Sequence, residues 1–362
     1  MRFPGSWDCK RPYPRYEKQH IPFLRGSNSK VSEGVEKIDD TVLRLSIPQP
    51  HYIPNNVYLL VCKSPTLIDA GHPATVSGDA LKHALNEVGY KPSHIRNVIF
   101  THPHIDHMGG ARHFEDRNSV RFIAHQGTLG HPTDFDASID TVRDMLIRMR
   151  KKYPASHRFP DVVDSDVDRF IEEYFMSVGD ITLDKTVVDG EFLHIDHFTF
   201  QVIHAPGHNP HHIVLWDRDR DWLYTGDVAL ETGTSMIRGM GDSINRYMRT
   251  LERLDGIITS QGISRILPGH GEISDDPAGL IRNAGAQVDT VRRELIARLK
   301  DSPMTITEIL ESFISDMVRI PHIYALSIPI LDTYLKQMIR EKTIRGIRKN
   351  NKRYYTVTDH AT

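Results

Sequence analysis

Short apolar runs bounded by turn-forming residues recur along the first 270 positions of the chain. Such runs are typical of β-strands, and three of them predict strands at 42–45, 57–61 and 66–68. Residues 74–88 instead repeat their apolar positions every three or four residues, which predicts an α-helix. The strand pattern returns at 97–100 and again from Thr186 to His270. Strands that alternate with helices in this way predict an α/β fold.

A long helical stretch separates the two groups of strands. Residues 138–152 and 164–176 each have an apolar stripe at helical spacing, formed by Ile139, Val142, Met145, Leu146 and Met149 in the first and by Val167, Phe170, Ile171, Tyr174 and Phe175 in the second. We therefore predict a helical insertion at about 130–183. It can either pack as a hairpin into the core or form a lid that supplies an apolar wall to a nearby site.

The last 81 residues, 282–362, have a different character. They contain 14 Lys and Arg against 9 Asp and Glu, whereas the whole chain has a formal net charge of -2. Helices are predicted at 283–299, 307–313 and 330–340, and a basic hairpin is predicted to turn at Asn350 and Asn351. Residues 1–36 are rich in Pro, Arg and Lys and are interpreted as an N-terminal extension.

Composition narrows the class of protein. A chain of 362 residues is long enough for about two domains, and its 39% apolar and 25% charged residues are globular values. Only Cys9 and Cys62 occur, so no disulfide framework can form. We find neither a signal-peptide core nor an apolar run of about 18 residues. These features predict a cytoplasmic protein that does not cross a membrane.

Three histidines and one carboxylate lie within six consecutive positions, directly after the strand predicted at 97–100. At a strand end His102 and His104 can point the same way, while Asp106 and His107 turn to a neighbouring point. One metal ion cannot easily bind all four side chains. The spacing therefore predicts two adjacent divalent ions, with donors that suit zinc and, less selectively, iron or manganese.

Three more ligand candidates follow short apolar runs elsewhere in the chain: His208, Asp227 and His270. A glycine precedes each of them and frees the backbone to turn into a site. Asp227 has two carboxylate oxygens and is therefore the natural bridge between two ions.

These motifs, in this order, resemble the metallo-beta-lactamase superfamily, in its glyoxalase II-like branch. The resemblance covers roughly 42–270 and includes residues 67–71, which contain Asp69. It implies an α/β fold, an αβ/βα four-layer sandwich over 37–281 with the helical insertion, and a winged-helix domain at 282–362. It further implies that one metal binds His102, His104 and His208, that a second binds Asp106, His107 and His270, that Asp227 bridges them, and that Asp69 braces the metal loop.

Four other histidines lie near these motifs. For His204, His211 and His212 we expect ordinary hydrogen-bonding roles rather than metal ligation. His72 follows the Asp69 loop and can either line the pocket or serve only the fold.

A water between two cations has a pKa near neutrality, so the site predicts metal-assisted hydrolysis in which Asp106 takes up a proton. The resemblance favours a small-molecule thioester of glutathione or coenzyme A, followed by a lactone or another ester. An RNA-cleaving nuclease and a metal-dependent binding protein remain alternatives. The third C-terminal helix has few groups that could read bases, so we expect it to pack on the catalytic domain or in a homodimer rather than on nucleic acid.

Overall fold

A computed structural model describes residues 34–114, 119–128, 135–153, 164–231, 235–239, 243–313 and 321–358. All but the last three residues of the predicted N-terminal extension, 1–36, lie outside these ranges.

Seven strands form the larger of two sheets. They follow one another in sequence order across the sheet: β1 (Gly34–Lys37), β2 (Val42–Gln49), β3 (Tyr52–Leu60), β4 (Thr66–Ile68), β5 (Asn97–Ile99), β6 (Arg121–His125) and β7 (Lys185–Val187). Neighbouring strands are antiparallel from β1 to β4 and parallel from β4 to β7. Strands β4, β5 and β6 are almost wholly buried, as expected of a parallel sheet covered on both faces.

The second sheet has five strands in the order β12-β11-β10-β9-β8. Their bounds are β8 (Phe192–Ile195), β9 (Phe198–His204), β10 (Ile213–Asp217), β11 (Trp222–Gly226) and β12 (Arg265–Pro268). Pairing is antiparallel except between β11 and β12, where it is parallel.

Alternate side chains of each sheet enter different hydrophobic clusters. Ile68 and Ile99 of the first sheet share one cluster with Phe200 and Leu215 of the second, so this cluster joins the two sheets. Side chains on the opposite faces belong to a larger cluster that includes the helices. The α/β fold predicted from the sequence is thus observed as two packed sheets with helices, while its four-layer order stays a prediction.

Eight α-helices occur in the described residues, with short 3-10 helices at Pro92–His94 and Gly109–His113. The α-helices are α1 (Thr75–Glu87), α2 (Ile105–Met108), α3 (Phe135–Lys152), α4 (Asp164–Tyr174), α5 (Ile244–Gln261), α6 (Pro277–Asp301), α7 (Ile306–Phe313) and α8 (Pro321–Arg340). None of these helices has the length and apolar content that crossing a bilayer requires. Helices α3 and α4 form the described part of the predicted insertion.

The C-terminal residues pack on the insertion. Helix α8 contacts α3, α4, α5 and α7, and the Tyr324 hydroxyl in α8 donates to the Tyr153 carbonyl at 2.8 Å. Strands β13 (Ile344–Lys349) and β14 (Lys352–Val357) form the predicted hairpin, and both turn residues, Asn350 and Asn351, have positive φ. The assignment of this region as a winged helix stays a prediction.

The start of one helix differs from the sequence prediction. Helix α8 begins nine residues before the predicted position 330 and contains Pro329, because the buried side chains of Leu326 and Ile328 favour a helix despite the proline. Helix α6 includes residues 281 and 282 and packs on α5 through its buried face, while the division into domains at 281/282 stays a prediction. The C-terminal region is therefore joined to the sheets by a continuous helix.

The loop that carries the histidine cluster docks on the loop after β4 through backbone hydrogen bonds. Ala70 N donates to the His107 carbonyl at 2.9 Å, and Gly110 N donates to the Gly71 carbonyl at 2.7 Å. A Cβ atom on Gly110 would lie 2.0 Å from the Ala70 carbonyl oxygen. Only glycine permits this approach.

Replacing Gly110 should therefore destabilise the protein. Gly110→Ala must push two backbone segments apart, and we expect a loss of about 1–3 kcal/mol or more in the free energy of unfolding. Gly256→Ala is the matched control: it lies within α5, a Cβ there meets nothing within 4 Å, and a gain of about 0.4–1 kcal/mol is expected. Urea unfolding of both variants measures this. Wild-type stability of Gly110→Ala would contradict the close approach.

Candidate metal centre

Three imidazoles converge on one point. The His102 and His104 side chains leave the loop after β5, and His208 leaves the loop after β9. The His208 Nε2 atom lies 2.8 Å from His104 Nδ1 and 3.2 Å from His102 Nε2, and the latter two atoms are 2.9 Å apart. Three ring nitrogens that face each other cannot all be satisfied by shared protons.

A second group lies beside the first. His270 Nε2 is 3.3 Å from His107 Nε2 and 3.3 Å from Asp106 Oδ2. His107 and Asp106 belong to α2, and His270 follows β12. The chain segments that end at the same edge of both sheets thus supply both groups.

Asp227, which follows β11, lies between the groups and offers one oxygen to each. Its Oδ2 is 3.6 Å from His208 Nε2, whereas its Oδ1 is 3.3 Å from His107 Nε2 and 3.6 Å from His270 Nε2. Gly226 has a φ of +46° directly before it, and a Cβ there would lie 2.7 Å from His212 Nε2. A glycine is therefore needed at this turn.

These donors fit divalent cations. In each group the ligand atoms all lie within 4.8 Å of one another, and tetrahedral zinc with imidazole ligands requires separations of about 3.3 Å. The Asp227 Oδ1 atom is buried and makes no hydrogen bond to the described residues, as expected of an oxygen that faces a cation. The structure thus brings the seven predicted ligands together as two clusters that could hold metal ions.

Burial and the neighbouring charges favour an ionised carboxylate at Asp227 and neutral imidazoles at the three histidines of the first group. Burial alone raises the pKa of Asp227, but the imidazoles of His270 and His107 outweigh it and hold that pKa below its usual range. Burial lowers the pKa of His208 to about 4. Burial also lowers the pKa of His102 and that of His104. At His104 the positive charge of the Arg238 guanidinium lowers the pKa further.

Asp69 braces two of the histidines from behind. It has a φ of +61° and is 2% exposed. Its Oδ2 accepts a hydrogen bond from His107 Nδ1 at 2.9 Å, and its Oδ1 accepts one from the Thr101 backbone N–H at 2.8 Å. The Thr101 hydroxyl lies 3.0 Å from His102 Nδ1. Asp69 was expected from the sequence, whereas Thr101 was missed although it directly precedes His102.

Other contacts that orient the imidazoles come from distant loops. Ser235 Oγ lies 2.6 Å from His208 Nδ1, the Pro54 carbonyl accepts a hydrogen bond from His270 Nδ1 at 2.9 Å, and an Arg238 Nη2 atom lies 2.7 Å from His104 Nε2. The Ser235 hydroxyl and the Pro54 carbonyl are acceptors of the kind that fix the ring orientation of metal-binding histidines. The Arg238 guanidinium can only donate, so its contact with His104 Nε2 is of a different kind. No sequence pattern marked these three residues.

The four other histidines noted in the sequence hydrogen-bond or stack within the protein. His212 accepts the Asp227 backbone N–H at 3.2 Å and stacks on His102. His72 bonds to the Tyr174 carbonyl and does not line the cavity described below. His204 donates to the Pro210 carbonyl, and its ring stacks on His125, which also stacks on His211.

A cavity of about 360 Å³ opens at the centre. His104, Asp106 and Asp227 of the centre line it, together with Arg238 and His211. The insertion supplies an apolar wall composed of Ile139, Val142, Tyr174 and Phe175. Met145, Met149 and Phe170 have the same helical spacing in the sequence but do not line the cavity. Phe170 belongs to the hydrophobic core, and the two methionines pack against it.

Comparison with known proteins agrees with this geometry. The profile of the metallo-beta-lactamase superfamily matches residues 53–270. Over 89% of its length the chain resembles the crystal structure of a metallo-beta-lactamase family protein from Thermus thermophilus, of which it covers 100%, with a TM-score of 0.72. At 20% sequence identity this likeness shows the fold alone.

Sequence relatives include enzymes of this family. The chain is 28% identical over 248 residues to the Beta-lactamase-like protein 2 homolog of Caenorhabditis elegans, covering 67% of this chain and 65% of that protein. It is 27% identical over 174 residues to the human Acyl-coenzyme A thioesterase MBLAC2, covering 48% of this chain and 55% of the relative. It is 35% identical over 88 residues to the Hydroxyacylglutathione hydrolase GloC of Haemophilus influenzae, covering 23% of this chain and 38% of that protein. The chain therefore spans less than two thirds of each of these relatives.

The stacked histidines should make stability depend on pH. Burial, and then the neighbouring His204 and His211, lower the pKa of His125 to about 4 from 6.5. The unfolded chain therefore binds this proton first, and the stability present above pH 6.5 is lost as the pH falls toward 4. In chelator-treated protein, His125→Phe should reduce the fall in Tm between pH 7 and 4.5. The exposed His83→Gln is the control. Equal pH dependence in all three proteins would contradict this assignment.

Proposed function

The chain belongs to the metallo-beta-lactamase superfamily, and from this premise we propose that it is a binuclear metallo-hydrolase that cleaves thioesters. The observation that carries the binuclear part is the position of Asp227, whose two oxygens face two different groups of imidazoles. A carboxylate that served one ion would not need both oxygens buried toward histidines.

We assign the first ion to His102, His104 and His208, the second to Asp106, His107 and His270, and the bridge to Asp227. Zinc suits this donor set best, and iron or manganese would also bind. When bound, such ions polarise a carbonyl oxygen and make water available as a nucleophile near neutral pH.

The residues of the chain then orient the substrate and move a proton. Asp106 lines the cavity, and the imidazoles of His107 and His270 outweigh the effect of burial and hold its pKa well below the usual range. The lowered pKa favours the ionised carboxylate, whose position in the cavity lining lets it orient the attacking water. We propose that it takes up a proton as the substrate is cleaved. A covalent thiol mechanism is not supported at Cys62, because burial, and then Asp196, raise the pKa of its thiol to about 11.

Two features favour a thioester. The relatives with assigned activities act on acyl-coenzyme A and on hydroxyacylglutathione by their names. The cavity is lined by apolar side chains of the insertion as well as by the carboxylates, which suits an acyl chain. Lactones and other esters share the same electrophilic carbonyl and come next. We further propose residues 37–281 as the catalytic domain and 282–362 as a winged-helix domain, in a cytoplasmic enzyme.

A substrate panel tests the proposed function. Zinc-loaded protein is assayed with acetyl- and palmitoyl-coenzyme A, S-lactoylglutathione, a homoserine lactone and labelled single-stranded RNA. We expect thiol release that a chelator abolishes. RNA cleavage without thiol release would favour the nuclease instead.

The nuclease remains a second candidate because of the hairpin β13–β14. Arg348 lies directly opposite Arg353, and Lys349 opposite Lys352. Like charges in directly opposed positions destabilise a hairpin, and all four side chains are exposed, so a polyanion would stabilise them. Against this candidate, α8 is buried on the insertion and cannot enter a groove.

Removing the bridge should remove metal and activity together. Purified wild-type protein is expected to contain about two metal ions per chain, as measured by inductively coupled plasma mass spectrometry. Asp227→Ala should retain one ion or none and lose thiol release. The control Asp219→Ala changes an exposed carboxylate of the β10–β11 turn. Two ions in Asp227→Ala would show that the bridge lies elsewhere.

The insertion wall should select for acyl length. Phe175 lines the cavity and is 3% exposed, so Phe175→Ala removes apolar contact and should raise KM for palmitoyl-coenzyme A by about tenfold or more. The KM for acetyl-coenzyme A should change less, because a short acyl group does not reach this wall. Met149→Ala, on the same insertion but outside the cavity, is the control. Equal changes in KM for both substrates would contradict the selection for acyl length and would indicate that this part of the insertion only supports the fold.

A further inference from the structure

Three buried side chains form a hydrogen-bonded chain from the insertion to the metal centre. The Tyr174 hydroxyl, at the end of α4, donates to Gln49 Oε1 at 3.1 Å. Gln49 Nε2, at the end of β2, donates to Asp106 Oδ2 at 3.3 Å. Gln49 is 1% exposed, Asp106 6% and Tyr174 7%. The partners are 125 and 57 positions apart in sequence.

The direction of each hydrogen bond in this chain is fixed. Gln49 Nε2 also donates to the Ile53 carbonyl at 2.8 Å, and a carbonyl can only accept. The amide nitrogen must therefore face Ile53 and Asp106, which leaves the amide oxygen for the Tyr174 hydroxyl. An amide flip would turn an acceptor toward both the carbonyl and the carboxylate.

The same Asp106 oxygen faces both the glutamine and the candidate second metal site. Asp106 Oδ2 lies 3.3 Å from Gln49 Nε2 and 3.3 Å from His270 Nε2. A carboxylate oxygen has two lone pairs, so it can accept the amide N–H with one and bind a cation with the other. Gln49 thereby restricts rotation of the carboxylate about its Cβ–Cγ bond.

Tyr174 depends in turn on how α4 is docked. Its ring packs on His72 and Phe170 with centroid distances of 4.8 and 5.6 Å, and its carbonyl bonds to His72 Nε2 at 3.0 Å. Tyr174 and its neighbour Phe175 both line the cavity. Tyr174 therefore lines the cavity and also donates the hydrogen bond to Gln49 through its hydroxyl group.

We propose that Gln49 is a positioning residue for Asp106 and that Tyr174 couples this positioning to the docking of α4, so that the acyl-binding wall also sets the geometry of the reacting centre. This inference rests on the proposed function. It implies that a ligand seated against α4 stabilises the orientation of Asp106 in which its Oδ2 faces the candidate second metal site.

Two variants test the coupling. Tyr174→Phe removes only the hydroxyl and keeps the ring in the wall; Gln49→Leu removes the amide at similar volume. In each, kcat for acetyl- and palmitoyl-coenzyme A should fall about tenfold, and the weaker of the two zinc sites should lose about tenfold in affinity. The KM for palmitoyl-coenzyme A should stay within about twofold in Tyr174→Phe, because the apolar contact remains. Zinc affinity is measured by competition with a chromophoric chelator.

Tyr324→Phe is the matched control. It also removes a buried hydroxyl that joins the insertion to another part of the chain, yet Tyr324 does not line the cavity. It should lower Tm without changing kcat or zinc affinity. The proposal is overturned if Tyr174→Phe behaves in the same way, or if it raises KM alone. Wild-type protein that cleaves no thioester would refute the proposed function, whereas the zinc titration of the variants would still decide the coupling.

Discussion

The shared Asp227 carboxylate is the interaction on which the rest of the structure depends. Two groups of imidazoles lie on either side of it, and all are buried except that of His104, which is partly buried. Burying so many polar groups is costly unless each one is paired. The outer nitrogens are fixed by contacts to Asp69, Thr101, Ser235 and Pro54, which leaves the inner nitrogens facing a common interior. A pair of cations there is the simplest way to satisfy them.

Much of this centre could be predicted from the sequence because its chemistry is local. His102, His104, Asp106 and His107 lie within six consecutive positions, and each remaining ligand lies within four residues of the end of a strand. Strand ends are well marked by apolar runs and glycines, so their side chains could be placed at one edge of the sheets. Apart from Asp69, the residues that orient the ligands could not be predicted in this way. Ser235, Gln49 and Arg238 reach the centre only through tertiary contacts, and nothing in their local sequence distinguishes them from ordinary polar residues.

The elements of the fold likewise include some that local sequence could predict and some that it could not. The short strands predicted at 66–68 and 97–100 are observed at 66–68 and 97–99, and the hairpin turns at Asn350 and Asn351 as predicted, because short apolar runs and turn residues are local signals. The start of α8 was predicted wrongly, because Pro329 breaks the local pattern while burial against the insertion sustains the helix. Helix α8 also contacts the loop that contains Ser235 and Arg238. A Cβ on Gly239 in that loop would lie 2.6 Å from Thr333 Oγ1 of α8. The C-terminal region therefore contributes to the shape of the cavity without contributing a ligand.

Anomalous diffraction at the zinc absorption edge tests the central claim most directly. Crystals of zinc-loaded protein should give two anomalous peaks, each about 2 Å from an Asp227 oxygen. One peak should have His102, His104 and His208 around it, and the other Asp106, His107 and His270. A single peak, or a second peak bound by other residues while Asp106 and His270 stay unliganded, would contradict the account.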